Sequence, residues 1–279
     1  MEIFREVSKV KFSVLMSVYE KENPVYFLQA VESVMNQTVP PSEIVIVKDG
    51  RLTEKLEFVC KRLKDKYPDC LRYVPLEKNV GLGLALQKGV LECKYDLVAR
   101  MDSDDISKPN RFEKQIKEFI SQPSLEMCGG FIEEFSDSPT YIDSVRRVPL
   151  DKKGISNFAK KRNPFNHVSV MFRKESVIKV GNYQSFPLME DYFLWVRMIM
   201  ANCNMKNIPD ILVSVRAGRS MTDRRGGWEY FLYEKRFYKE LYKNGYISIG
   251  DLYTILFVRC MVRLCPGKIR GVVYKFFMR

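Results

Sequence analysis

Four short runs rich in β-branched residues, 12–18, 43–48, 72–74 and 97–101, alternate with segments of helical period over the first hundred residues, and no other feature narrows the fold as much. Segment 24–37 carries Phe27, Ala30, Val31, Val34 and Met35 on one face, 54–66 carries Leu56, Val59, Cys60 and Leu63, and 83–92 carries Leu84, Leu86 and Val90. Four β-α units in succession predict an α/β fold, a mostly parallel sheet with helices on both faces. Ligands of such sheets bind outside the carboxyl ends of the strands, where the strand order reverses. The loops 19–23, 49–53, 77–83 and 102–110 are therefore the places to look for a site.

Past residue 109 the rhythm loosens. The pattern predicts a helix over 111–120, strands near 127–135, 168–172 and 211–216, and a helix over 189–201. Residues 135–167 are polar and punctuated by proline, as expected of a long surface loop with one short helix. A helix is expected over 228–243, then two short ones within 251–279 divided at Pro266 and Gly267. A chain of 279 residues builds a core without disulfides or a structural metal. Its seven cysteines include no C-x-x-C pair and residues 1–15 lack a signal-peptide pattern, so a reducing cytosol is the expected home. No run approaches the roughly 18–20 apolar residues of a spanning helix, which removes channels, carriers and multi-pass synthases but leaves attachment to a membrane surface open.

The net charge is +12, and residues 216–279 hold 14 basic against 5 acidic side chains, so the C-terminal part is the basic part. A basic segment suits nucleic acid, anionic lipid or a phosphorylated substrate. There is no zinc finger, RNP-type strand or basic zipper, and no nucleic-acid partner is expected.

Two acidic constellations carry candidate chemistry. Asp102-Ser103-Asp104-Asp105 follows an apolar strand at the point where the chain leaves the sheet. Carboxylates packed this closely repel, a conflict relieved if a divalent cation such as Mg²⁺ or Mn²⁺ is shared with diphosphate oxygens. A solvated turn capping the next helix would read the same way. Glu190-Asp191 opens an amphipathic helix, either simply answering the helix dipole or projecting a general base into a cleft. The glycines of 81–89 match neither dinucleotide nor P-loop spacing, Asp49-Gly50 is a turn signal or a nucleoside contact, and His167 is the only histidine.

Taken in order, the segments 12–19, 33–38, 44–50 (IVIVKDG), 79–83 (NVGLG), 100–105 (RMDSDD) and 190–192 (EDY) resemble the glycosyltransferases of family 2, with the GT-A fold. The resemblance spans residues 10–220 and is nearest to the non-processive bacterial enzymes of capsular, exopolysaccharide and O-antigen assembly. It implies a Rossmann-like GT-A domain over 1–220, with a nucleotide-sugar half about 10–105 and an acceptor half about 106–220. A helical basic extension over 221–279 would follow. It further implies inverting transfer from a nucleotide diphosphate sugar, expected here to be a UDP-sugar, with Mn²⁺ or Mg²⁺.

By position, Tyr19 and Asp49 would hold the nucleoside and Asn79 and Gly81 the loop beside it. Asp102 and Asp104 would meet the metal, Arg100 and Asp105 the donor sugar, and Asp191 would be the base. His167, Glu190, Trp195, Arg216 and Arg219 are candidates for acceptor or diphosphate contacts. Lys48 and Arg51 depart from the family pattern, which bears on the identity of the nucleobase. Arg224-Arg225-Gly226-Gly227-Trp228 departs from the Q-x-x-R-W of processive synthases and favours one sugar per encounter. The acceptor is expected to be lipid-linked, and the enzyme cytoplasmic and peripheral on the inner face of the cell membrane. A catalytically silent nucleotide-sugar or membrane-surface binding module of the same fold is the alternative.

Overall fold

Strand β1 (Phe12–Val18) forms the spine of the sheet in the computed structural model, which describes residues 2–217 and 227–264. Its alternation decides the layering. Phe12, Val14, Met16 and Val18 face one core with α2 (Pro24–Met35) and α3 (Glu54–Lys66), whereas Leu15 faces a second core with α4 (Leu82–Glu92). A short helix, α1 (Glu2–Val7), precedes the strand. Caps set the helix starts. Asn23 accepts the amides of Val25 and Tyr26 just before Pro24, and Thr53 accepts that of Leu56. Gly89 lets α4 lie close on the sheet, because a Cβ there would come within 2.3 Å of Leu15 and 2.9 Å of Val47.

Strands β2 (Glu43–Lys48) and β3 (Leu71–Pro75) extend the sheet on one side of β1, and β4 (Leu97–Arg100) pairs on the other side, all parallel. The order therefore reverses between β1 and β4, and the loops after Val18 and Arg100 flank that crevice. Beyond β4 the sheet becomes mixed. After the two-residue β5 (Ile106–Ser107) and α5 (Arg111–Ser121) come β6 (Met127–Phe135), β7 (Ser144–Arg146), α6 (Lys152–Phe158), β8 (Met171–Arg173) and α7 (Lys174–Lys179). Helix α8 (Glu190–Met200), β9 (Met205–Arg216), α9 (Gly227–Lys243) and α10 (Ile249–Leu264) complete the described elements. Among the described residues nine strands form one sheet in the order β3-β2-β1-β4-β8-β6-β9-β5, with β7 on β6.

Several differences from the sequence expectations have plain causes. Strand β9 begins at Met205 rather than 211, because Pro209 and Asp210 are skipped in the pairing with β6 between Ile208 and Ile211. Proline has no amide to donate, so the ladder shifts there instead of ending. The run 168–172 begins as a 3₁₀ turn, His167–Ser169, and only its end pairs as β8. Segment 135–167 holds the expected short helix plus β7, and the second C-terminal helix falls outside the described residues. Phe237, Tyr238 and Leu241 of α9 share a third core with Phe186, Tyr192, Phe193 and Val196 around α8. No described helix is long and apolar enough to cross a membrane.

Candidate active site

At the end of β2, Asp49 organises the glycine loop. Its Oδ1 accepts the Val80 amide at 2.7 Å and its Oδ2 the Gly81 amide at 3.1 Å, while Asn79 Nδ2 donates to the Asp49 carbonyl at 3.3 Å. Gly50 must be glycine here: its φ is +86°, and a Cβ would stand 2.7 Å from the Asn79 nitrogen. Asp49, Asn79 and Gly81 are thus brought together, with Tyr19 exposed on the loop after β1. Lys48, the departure from the family pattern, turns away from this loop. It pairs with Glu57 at 2.6 Å and lies 4.7 Å from the Tyr73 ring.

Arg100 ends β4 as the central cation of the site. It is 1 % exposed, its Nη2 meets Asp102 Oδ1 at 2.5 Å, and its Nε and Nη1 are buried with no protein partner. Each such orphan costs on the order of 1–3 kcal/mol or more. Burial alone would lower its pKa, but the Asp102 carboxylate outweighs this and holds it above the ordinary value. Arg111 supports it from behind, donating to the Arg100 carbonyl at 2.7 Å, and burial and the Arg100 charge bring Arg111 down to about 9. The field of Arg100 reaches Asp104, Asp105, His167, Tyr183, Glu190 and Asp191 as well.

The turn 102–105 is crowded with carboxylates. Burial, then Asp102 and Glu22, push Asp104 up to about 7. Glu22, from the loop after β1, also accepts the Ser103 hydroxyl, a contact no sequence periodicity signals. Asp105 is buried, accepts the Arg216 amide at 2.8 Å, and is raised well above a normal carboxyl, chiefly by desolvation. Crowded, half-buried oxygen donors fit a divalent cation. Among the described residues no group of three or more His, Cys, Asp or Glu side chains is arranged for a metal, so a cation held by Asp102 and Asp104 would complete its shell with diphosphate and water.

Asp191 lies on the first turn of α8. Asn163 Nδ2 donates to its Oδ2 at 2.6 Å, and Arg146 Nη2 in turn donates to the Asn163 carbonyl at 2.8 Å. Burial raises the Asp191 pKa against the opposing effects of Asn163, the Tyr192 amide, Arg146 and Arg100. Glu190 is pushed up to about 7 by burial and by Asp191, and its buried Oε2 has no partner. The loop carrying Gly81 is adjacent, because a Cβ on Gly83 would lie 3.2 Å from Glu190 Cβ.

Trp195 and Arg216 are placed differently from expectation. Trp195 is wholly buried, edge-on to Phe165, His167 and Tyr183, because it lies one helical turn deeper than Asp191. It floors the site without reaching solvent. Arg216 stacks 3.7 Å from the Tyr26 ring centroid and donates to the Asp104 carbonyl at 3.2 Å, bracing the acidic turn from behind. Arg219, with Arg224 and Arg225, lies outside the described residues. His167 Nε2 is 2.9 Å from the Tyr183 hydroxyl and is kept neutral, its pKa well below normal through burial and Arg100. Asn163 and Tyr183 come from irregular segments and Arg146 from the three-residue β7, where no periodic signal marks them.

A family model described as glycosyl transferase family 2 matches residues 13–181, more than half of the chain. The chain belongs to glycosyltransferase family 2. Within the family it is 43 % identical to the amylovoran biosynthesis glycosyltransferase AmsE of Erwinia amylovora, over 95 % of this chain and 98 % of that one. It is 37 % identical to the UDP-Gal:α-D-GlcNAc-diphosphoundecaprenol β-1,3-galactosyltransferase of Escherichia coli, over 96 % and 97 %. The mannosyltransferase PcManGT of Pyrobaculum calidifontis, solved with GDP-Man and Mn²⁺, superposes with a TM-score of 0.62 at 13 % identity, covering 97 % of this chain and 83 % of that one. The family 2 fold is the GT-A type expected from the sequence.

Proposed function

We propose that this glycosyltransferase moves one sugar from a UDP-sugar to a lipid-linked saccharide acceptor, with inversion, in surface polysaccharide biosynthesis. The observation that carries the reading is the pair of unpartnered, buried Arg100 nitrogens between the Asp102–Asp105 turn and the Asp191 carboxylate. Such a site awaits an oxygen-rich anion on one side and a proton donor on the other. Tyr19, Asp49, Asn79 and Gly81 hold the nucleoside. The Asp49 oxygens each keep a second lone pair for it. Asp102 and Asp104 hold Mn²⁺ or Mg²⁺, which supplies stabilisation of charge on the leaving diphosphate. Arg100 and Asp105 flank the donor sugar, and Glu190 and His167 flank the acceptor.

In the transfer the acceptor oxygen forms a bond to the anomeric carbon as the bond to the diphosphate breaks, and Asp191 takes the hydroxyl proton. Asn163 fixes one edge of that carboxylate and leaves lone pairs for the proton. A pKa above the ordinary carboxylate value makes Asp191 a stronger base near neutrality.

The relatives support the finer terms. The E. coli enzyme is a UDP-Gal transferase to a diphosphoundecaprenol-linked sugar, and the mannosyltransferase of the same fold holds Mn²⁺. Residues 1–220 act as the catalytic domain and 221–279 as an extension that brings it to the inner face of the membrane from the cytoplasm. Release of UDP from a panel of UDP-sugars, with Mn²⁺ and with EDTA, tests the reading. Turnover that depends on metal is expected. Binding of UDP without turnover of any donor would instead identify a silent module.

A further inference from the structure

Helix α10 is built with its basic charges turned inward. Glu234 of α9, 2 % exposed, accepts Arg259 Nη1 at 2.9 Å and Arg263 Nε and Nη2 at 2.9 and 2.7 Å. Asp251, in the first turn, accepts the Ser248 hydroxyl at 2.7 Å. The side of α10 that meets solvent carries Ile249, Tyr253, Thr254, Phe257, Val258 and Met261 and no basic side chain, its one acid, Asp251, lying at the N-terminal end, with Tyr253 and Phe257 each 69 % exposed. A water-facing amphipathic helix has the opposite arrangement. The chain then continues for residues 265–279, which contain four basic and no acidic side chains among Ile269, Val272, Val273, Phe276 and Phe277. An apolar, aromatic face followed directly by a purely cationic segment is complementary to an anionic bilayer, whose headgroups take the charge and whose acyl boundary takes the rings.

We propose that the outward face of α10 is a lipid-docking surface, resting on the reading that the acceptor is lipid-linked. The surface is coupled to the base by short contacts. Arg259 Nη2 and the Tyr238 hydroxyl both donate to the Lys161 carbonyl, at 2.7 and 2.8 Å, two residues before the Asn163 that holds Asp191. Phe237 of α9 packs 4.5 Å from the Tyr192 ring, next to Asp191 on α8. Docking of α10 thus fixes where the base stands relative to the bilayer that carries the acceptor.

Flotation of the full chain with phosphatidylcholine vesicles, with and without phosphatidylglycerol, tests this. The intact chain is expected to float with the anionic vesicles. The double variant Tyr253→Ser, Phe257→Ser is expected to partition at least about tenfold less at low and high salt, because it loses buried apolar area. Its donor hydrolysis and unfolding midpoint should match the parent. A chain ending at residue 264 should lose only the salt-sensitive part of binding. If the double variant floats like the parent while the truncated chain does not, membrane attachment stands and the assignment of α10 is wrong. If the parent is a dimer that the double variant breaks, with flotation unchanged, the face joins copies of the chain and the proposal fails. If the parent ignores both vesicles, the membrane reading itself falls.

Discussion

Arg100 shows how a single residue sets the chemistry of the site: buried to 1 % exposure, it answers only Asp102 and leaves two donors for a ligand. The two carboxylates proposed as metal ligand and base, Asp104 and Asp191, are expected to fail differently when changed. Asp104→Ala should weaken metal-dependent UDP binding, whereas Asp191→Asn should bind UDP nearly as well but lower kcat by about 10²–10⁴. Calorimetric UDP titration beside transfer assays separates them, and full transfer by Asp191→Asn would remove it as the base. Asn163 lowers the Asp191 pKa against the larger effect of burial, so Asn163→Ala should raise that pKa. The base must be ionised to act. The acid limb of the kcat/KM profile should therefore move to higher pH while UDP affinity is unchanged. Arg100, Arg146, Glu190, Tyr183 and His167 face the same carboxylate or its neighbours and are left intact by that change.

Helix α8 is the element on which the site depends, and its first turn opposes two effects. Its amide dipole favours negative charge at Glu190 and Asp191, yet burial and mutual repulsion win and raise Glu190 to about 7. A carboxyl raised in the folded state binds more protons there than when unfolded, so it costs stability above its folded pKa and the cost fades as pH falls from about 7 towards 4.5. Glu190→Gln should accordingly stabilise the protein by about 1–2 kcal/mol at pH 8, screening included, and by little at pH 4.5. Denaturant unfolding at both pH values checks the sign. The α9–α10 pair rests on one buried acid. Glu234→Ala leaves Arg259 and Arg263 without their carboxylate and should cost about 3–5 kcal/mol. Leu232→Ser, exposed on the same helix, should change stability by no more than about 0.5 kcal/mol in the same measurement.

At the scale of the molecule, the sheet carries the loops of Asp49 and of Asp102–Asp105, and the helical layer of α8 to α10 carries Asp191. The two described cores against the sheet are built from apolar side chains. EDTA should leave the thermal midpoint of the free protein unchanged. UDP with Mn²⁺ at 100 times its dissociation constant should add about 2.7 kcal/mol, or roughly 5 °C. Scanning fluorimetry reads this directly, and the shift should vanish in Asp104→Ala.

The first hundred residues were legible because local periodicity and caps there agree with the final layers: β1 and β2 and helix α3 run over the residues their patterns indicate. The acidic turn after β4 and the acidic pair opening α8 were legible as well, since each follows an element end that the pattern marks. What periodicity does not carry is which unrelated loops meet. Asn163 on Asp191, Glu22 on Ser103 and Arg216 behind Asp104 join segments 28, 81 and 112 positions apart, each with at least one partner in irregular backbone. Trp195 was a candidate for acceptor or diphosphate contact, but it packs into the second core against Phe165, His167 and Tyr183, which cover it. The inward turn of Arg259 and Arg263 was equally hidden, since an arginine on a helix is read as a solvent face until a buried acid from another helix claims it. Local sequence sets strands, helices and their caps through short-range sterics and hydrogen bonds, whereas burial, pKa and charge pairing arise from contacts made only when distant segments pack.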